Sequence, residues 1–414
     1  MPEYKYVKIN DRYYCLQQNP VILAWIVFLK KSTLDIVYRP YPRKIAHKIP
    51  FLLQRKWRAF RHNFFVYLAL IRYKYIQNIS KSALTLPLYG QMCKAAHQGY
   101  KIFDFRRNVV IKVFGPNIDK KSVIKEIDIL KIVSQMDFAP SLRKWDIEKQ
   151  WYEEDYIEGY LDVDHSYKPA DDSITVRDKF CHFITPCIEK LIFLQAPMTV
   201  NIKKYLNDIT DVVENSSIFQ QDFVKINNKE IPEINKFFRA TIEQLRAERN
   251  CPVYLVFTHG DFCSANIINT KDTIKILDWE HAAYRSALFD FYSYFFYRPY
   301  RNKISVHDLV LEINEAFPFF ISKLSLKSRE ISESISSLGS IYRLLYYIER
   351  INMLLERAMT DTNLDVMGKI SIYIDVYRKY EEFLAQGYPE AYTEGFPLLI
   401  NDNEKNKIHA KLVE

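Results

Sequence analysis

The chain has 414 residues, 48% hydrophobic and 26% charged, yet only 9 are glycine, where average usage would give about 29. The glycines are too few and too scattered for G-x-G-x-x-G or a Walker A loop, which excludes the glycine-dependent nucleotide folds along with collagen-like and low-complexity classes. The formal charge of +8 is uneven: residues 1–98 hold 17 Lys and Arg against 3 Asp and Glu, and the remainder 41 against 47, which suggests an anionic surface or partner for the first part. The six cysteines form no C-x-x-C pair and lie at no zinc spacing with histidine, so they read as reduced thiols in a cytoplasmic setting. The start lacks the charged-then-apolar order of a signal peptide, and the longest early apolar run, Val21–Leu29, is far short of the ~20 residues of a spanning helix. A chain of this size and aromatic content (30 Tyr, 27 Phe) can bury a large core in two or three domains.

In chain order, residues 1–80 read as a basic N-terminal extension. It opens with short aromatic strand-like pieces, then a stretch punctuated by Pro40, Pro42 and Pro50. Leu53, Trp57, Phe60, Phe64, Leu68 and Ile71 then recur at helical spacing over 51–73, with Arg55, Lys56, Arg58, Arg61 and His62 between them. Residues 81–158 change character. Ala83–Tyr89, Tyr100–Phe105 and Val109–Phe114 predict strands, the last two joined by the turn Arg106-Arg107-Asn108. A helix follows with Ser122 as N-cap and Val123, Ile124, Ile127, Leu130 and Val133 at its period, ending before Phe138-Ala139-Pro140. Trp151–Ile157 predicts a further strand, closed by Glu158-Gly159.

Residues 159–414 are mainly helical, with helices near 173–195, 232–249, 305–324, 336–358 and 367–385. One β-rich island interrupts them: the apolar strand Val253–Phe257, a polar loop, Ile267-Ile268, the turn Thr270–Thr273 and Ile274–Leu277. The loop reads Thr258-His259-Gly260-Asp261-Phe262-Cys263-Ser264-Ala265-Asn266, and Asp278-Trp279-Glu280 follows the second hairpin strand. This order predicts that Asp261, Asn266 and Asp278 converge at the end of a small sheet. Their oxygens are hard ligands suited to Mg²⁺ rather than zinc, and a free Asp beside metal-bridged phosphates is what phosphoryl transfer to a hydroxyl requires.

The H-G-D-x-x-x-x-N run with I-L-D-W-E resembles the aminoglycoside phosphotransferase and choline kinase-like family. The resemblance covers residues 83–300. It implies a bilobal α+β fold of the protein kinase type, with a small antiparallel-sheet N-lobe and a mainly helical C-lobe, here carrying the extra basic N-terminal unit. It further implies that Asp261 is the catalytic base, that Asn266 and Asp278 hold Mg²⁺, and that His259 braces the loop. Glu280 would assist a second metal or a substrate group, and Asp290 would support the catalytic loop. Val109–Phe114 matches the strand whose lysine, Lys112, contacts nucleotide phosphates, with Glu126 on the next helix as its partner. Asp155, Tyr156 and Ile157 match the segment whose backbone meets adenine. The segment expected to cover the phosphates, Gly90–Gly99, departs from the pattern, having a glycine only at each end; Lys94 and His97 are its phosphate-contact candidates.

The resemblance thus implies a kinase using ATP, with GTP the alternative donor, and Mg²⁺. For the acceptor the expectation is a hydroxyl of a carbohydrate or lipid-linked glycan, with choline or ethanolamine and aminoglycosides as alternatives. Residues 1–80 would hold an anionic membrane surface at its inner face; a nucleic-acid partner is not expected. The reading of another class is a non-catalytic kinase-like binding module, against which the intact set Lys112, Asp261, Asn266 and Asp278 stands.

Overall fold

Strands β1 (Tyr4–Ile9) and β2 (Arg12–Cys15), drawn from the first fifteen residues, lie inside a sheet that also takes strands from residues 83 to 155. The computed structural model describes residues 3–9, 12–30, 64–75, 83–161, 179–214, 230–248, 251–270, 273–300, 304–360 and 366–386. The chain divides into two units, Met1–Ser166 with Ser264–Glu280, and Tyr167–Cys263 with His281–Glu414.

In the first unit, the helix Pro20–Lys30 and helical residues 64–75 precede β3 (Ala83–Leu86), β4 (Met92–Ala96), β5 (Gly99–Asp104) and β6 (Val109–Phe114). The helix Lys120–Val133, β7 (Leu142–Asp146), β8 (Trp151–Asp155) and β9 (Tyr160–Leu161) follow. The main sheet is antiparallel, in the order β3-β1-β2-β4-β5-β6-β8-β7. Successive strand residues point to opposite faces, and the two cores follow that alternation. Val7, Tyr14 and Met92 pack with Leu23, Val66 and Leu70 of the two early helices, while their neighbours Tyr6, Cys15 and Cys93 pack with Ile102, Ile111 and Val113. Strand β6 is buried along its whole length, as its unbroken apolar run apart from Lys112 requires.

Several expectations are adjusted here. The segment expected to be a loop at 90–99 is strand β4 and a two-residue turn at His97-Gln98, with Gln98 at positive φ. Gly99 is needed there because an added Cβ would sit 2.1 Å from the Val113 carbonyl oxygen. The helix after β6 is capped by Asp119, not Ser122: Asp119 is the last extended residue, and the Ser122 N–H already bonds its carbonyl at 3.0 Å. In the amphipathic stripe predicted over 51–73, residues 51–63 lie outside the described residues. On helical residues 64–75, Val66 and Leu70 are the buried positions, whereas Phe64 and Leu68 are exposed. The buried face is turned from the predicted stripe: Val66 and Leu70 pack on Val7, Tyr14 and Met92 of the sheet. Strands β7 and β9 were not foreseen.

The second unit begins, among its described residues, with a π-helical turn Phe180–Ile184 and the helix Thr185–Ile192, within the helix expected near 173–195. Then come β10 (Met198–Asn201), the helices Ile202–Glu214 and Glu230–Ala247, and β11 (Pro252–Thr258). The chain next crosses into the first unit for β12 (Ile267–Asn269), which pairs with β9, and β13 (Ile274–Ile276), which pairs with β12. It returns for β14 (Ala283–Ser286) and the helices Phe289–Tyr300, Val306–Ser325, Arg329–Ser337, Gly339–Thr360 and Val366–Ala385. The island expected as one small sheet is therefore split: β11 pairs with β10 and β14, while β12 and β13 belong to the first unit. The core of the second unit is aromatic. Phe291, Tyr292 and Phe296 pack with Phe320, Tyr346, Tyr347, Tyr377 and Tyr380 at ring separations of ordinary tilted and stacked pairs. The α+β organisation expected from the sequence is present, with an antiparallel sheet in one unit and helices dominating the other.

Candidate active site

In the first unit, register brings two lysines face to face. Lys101 on β5 pairs directly with Lys112 on β6, so both side chains leave the same face of the sheet. Lys112 is fully buried and donates to both carboxylate oxygens of Glu126 at 2.8 Å and to Glu280 Oε2 at 2.9 Å. A buried ammonium without partners would lose its charge; burial does work against the charged form here, but Glu126 and Glu280 outweigh it and raise the pKa. Glu126 is itself oriented by the Tyr152 hydroxyl, which donates to it at 2.7 Å. The expected Lys112–Glu126 pair is thus formed, and Glu280, expected to serve a metal or substrate group, also binds Lys112.

Lys101 ion-pairs with Asp278. This lysine, chiefly, holds the Asp278 carboxylate well below the usual range against the effect of burial. Asp278 adopts φ +65, a left-handed conformation uncommon outside glycine, asparagine and aspartate. Its neighbour Leu277 donates its N–H to the Asn266 carbonyl at 2.8 Å, which ties the Asp278 turn to the short 3-10 turn Ser264–Asn266. Glu154 on β8 is also drawn in: burial, foremost, lifts its pKa to about 7, and the Asp278 charge adds to this against the pull of Lys101.

Among the described residues no group of three His, Cys, Asp or Glu side chains converges on a metal position. Asn266 and Asp278 offer hard oxygen donors, which suits a Mg²⁺ ion that brings phosphate and water oxygens with it rather than a resident all-protein site. In the segment matched to adenine binding, the Asp155 and Tyr156 N–H groups are engaged by the Ser141 and Asn108 carbonyls at 3.0 Å each, and the Asp155 carboxylate takes the Arg143 Nε–H at 2.5 Å. The Tyr156 ring packs edge-on to Phe103 and Phe105. Of the loop candidates, His97 Nδ1 lies 3.8 Å from Glu280.

In the second unit, β11 delivers Thr258 and His259 to a turn shaped by Gly260. Gly260 has φ +84, and an added Cβ would lie 2.2 Å from the His281 carbonyl oxygen, so no other residue fits. Asp290, at the start of the helix Phe289–Tyr300, accepts the His259 N–H at 2.6 Å and the Gly260 N–H at 3.1 Å. His259 Nδ1 accepts the Asp261 N–H at 3.2 Å, which fixes the proton of the neutral imidazole on Nε2. Asp261 is a quarter exposed at its side chain and receives the Arg350 guanidinium at 2.9 Å. Burial works to raise its pKa, but Arg350, with His281 and His259, outweighs burial and keeps the carboxylate below the ordinary range. The expected site residues therefore divide by unit: Lys112, Glu126, Asn266, Asp278, Glu280 and Asp155–Ile157 in the first, and His259, Asp261 and Asp290 in the second.

Two residues escaped the sequence. Lys101 stands in a strand between Tyr100 and Ile102, and what singles it out is its cross-strand pairing with Lys112. Arg350 carries no local motif; it lies 89 residues beyond Asp261 in the helix Gly339–Thr360.

The chain that carries this braced carboxylate turn and these paired lysines is a kinase that acts on an alcohol group. The chain belongs to the choline/ethanolamine kinase family, whose profile matches residues 91–303, just over half its length. Among solved structures it is similar to a choline kinase from Streptococcus pneumoniae, at 13% identity and a TM-score of 0.43, over 77% of this chain and 99% of that one. An ethanolamine kinase from Plasmodium vivax matches at 15% identity and a TM-score of 0.41, over 77% and 88% of the two chains. A glucosamine kinase bound to glucosamine, ADP and inorganic phosphate matches at 12% identity and 0.43, over 68% and 78%. No curated protein matches the sequence significantly.

Proposed function

We propose that this protein transfers the γ-phosphoryl group of ATP to the hydroxyl of an amino alcohol of the choline or ethanolamine class. The family match supports the acceptor class, and the Asp261 turn, braced by Asp290, His259 and Arg350, is the observation that carries the chemistry. Asp261 orients the acceptor hydroxyl and takes its proton as the acceptor oxygen bonds to the γ-phosphorus and the bond to the ADP oxygen breaks. Asp290 and His259 hold the turn that presents Asp261, Asp290 through two backbone N–H groups. Lys112, kept charged by Glu126 and Glu280, meets the nucleotide phosphates, and Lys101 stands beside it as a second cation where a glycine-rich loop is lacking. Asn266 and Asp278 would hold Mg²⁺, which when bound neutralises phosphate charge. Adenine would meet the backbone at Asp155–Ile157, through carbonyls and the Ile157 end, since the Asp155 and Tyr156 N–H groups are engaged.

An aromatic face favours a cationic acceptor. The Tyr300 ring, half-buried, stacks on Tyr373 at 4.4 Å, and the Tyr373 hydroxyl accepts from the same guanidinium that binds Asp261. A carbohydrate or lipid-linked glycan acceptor is the second reading. It is favoured by the 17 basic residues within 1–98, which would hold an anionic membrane near the site. Vesicle co-sedimentation tests that part: Arg72→Glu with Lys74→Glu should weaken binding of the full chain to anionic vesicles, and equal binding by both proteins would remove it.

The deciding experiment is a γ-phosphate transfer screen with choline, ethanolamine, glucosamine and an aminoglycoside, run with Asp261→Asn. Turnover with an amino alcohol is expected to exceed that with the sugars. Asp261→Asn should lose about 10²- to 10⁴-fold in kcat while binding nucleotide as before. Full activity in that variant would refute the base assignment.

A further inference from the structure

Arg350 is 6% exposed and holds two successive residues of the Asp261 turn with one guanidinium fork. Nη1 donates to the Gly260 carbonyl at 3.2 Å, and Nη2 donates to Asp261 Oδ1 at 2.9 Å and to the Tyr373 hydroxyl at 3.2 Å. The guanidinium carbon also lies 5.2 Å from the Tyr373 ring centroid, so the fork is clamped from the helix Val366–Ala385 as well as from its own helix. Planar, rigid and permanently charged, such a fork fixes direction as well as charge, which an ammonium would not do. Arg350 and Tyr373 both lie beyond residues 91–303, outside the part of the chain matched to the family.

We propose that Arg350 is a positioning residue for phosphoryl transfer: it anchors Asp261 through Oδ1 and the Gly260 carbonyl so that Oδ2 receives the acceptor proton. The proposal rests on the reading of Asp261 as the base. The same contact has an electrostatic consequence. The groups that act on the Asp261 carboxylate are Arg350 first, then His281 and His259, with the phenols of Tyr346 and Tyr373 nearby. Without Arg350, burial would dominate and the carboxyl would hold its proton to higher pH.

The sign follows from the direction of the shift. In the wild type the depressed pKa keeps Asp261 ionised through the neutral and mildly acid range, so the acid limb of kcat/KM lies low. Arg350→Gln should move that limb up by about one pH unit or more and lower kcat about tenfold or more, with nucleotide affinity unchanged. Arg350→Lys keeps the charge but not the fork, so it should restore the acid limb while leaving kcat depressed.

The test uses the full chain and measures kcat and KM against pH with choline, ethanolamine and glucosamine. ADP release to water serves as a further readout, and nucleotide affinity and melting temperature are taken alongside, with Asp261→Asn in the same series. An Arg350→Gln enzyme with unchanged kcat and acid limb, beside an inactive Asp261→Asn, overturns the positioning role and leaves the base reading standing. An active Asp261→Asn overturns the base reading itself. Should Arg350→Gln not fold, Arg350→Lys decides: lowered kcat at unchanged nucleotide affinity supports the role, and wild-type kcat overturns it.

Discussion

Lys112 sits at the centre of the most demanding piece of electrostatics in the first unit. Its ammonium satisfies two carboxylates, Glu126 and Glu280, from different parts of the chain, and all three groups are largely withdrawn from water. Removing one partner of a buried ion pair leaves the other charge uncompensated and typically costs about 3–5 kcal/mol. Lys112→Met should therefore lower unfolding stability by about that amount in urea titration as well as abolish tight nucleotide binding. Adding Glu126→Gln to it should recover part of the stability but none of the nucleotide affinity, which separates the structural from the binding role. This pairing was legible in the sequence because a lysine in the apolar run Val109–Phe114 demands a counter-charge, and Glu126 falls on the buried face of the next helix. Lys101 and Arg350 were not legible, because what singles them out is a cross-strand register and a helix packing, neither of which has a local signature.

At the scale of elements, the β4–β5 hairpin stands where a phosphate-covering loop was expected. Its sequence, Met92-Cys93-Lys94-Ala95-Ala96, lacks the β-branched alternation that announces a strand, so only its pairing with β2 and β5 makes it one. The neighbouring glycines make a controlled comparison. Gly99→Ala would drive a methyl to 2.1 Å from the Val113 carbonyl oxygen, whereas at Gly115 the nearest atom is 3.6 Å away. The first substitution should destabilise the protein by about 1–3 kcal/mol, and the second should be neutral or stabilise it by up to about 1 kcal/mol; thermal melts of the two variants check this.

Strand β8 supplies a pH dependence. The Glu154 carboxyl rises from the ordinary 4.5 to about 7 on folding, so between those values the folded chain holds a proton that the unfolded chain releases. Its contribution to stability is whole below the unfolded value and is lost as pH rises through about 7. Urea titrations from pH 5 to pH 8 should show the wild type losing more stability than Glu154→Gln.

For the whole molecule, the family match and the fold do not begin at the same place. Residues 91–303 carry the family likeness, yet β1 and β2 lie between β3 and β4 in the sheet, burying Tyr6, Val7, Tyr14 and Cys15. Deleting residues 1–16 should not yield a trimmed kinase but a chain with the β4 edge unpaired, seen as reduced soluble yield and a lower melting temperature. The sequence separated the sheet-rich from the helical part because apolar periodicity changes near residue 160. It could not reveal which strands share a sheet, since pairings such as β9 with β12 span more than a hundred residues.

That long return also sets an order of events during synthesis. The three-stranded sheet β13-β12-β9 needs Ile274–Ile276, and these emerge only after nearly a hundred residues of the second unit have been made. At about 5–20 residues per second, the first unit waits roughly 5–20 seconds with strand β9 unpaired. A ribosome stalled before residue 267 should therefore carry a nascent chain whose first unit is open to protease near β9, and one stalled well beyond residue 280 a chain in which it is protected.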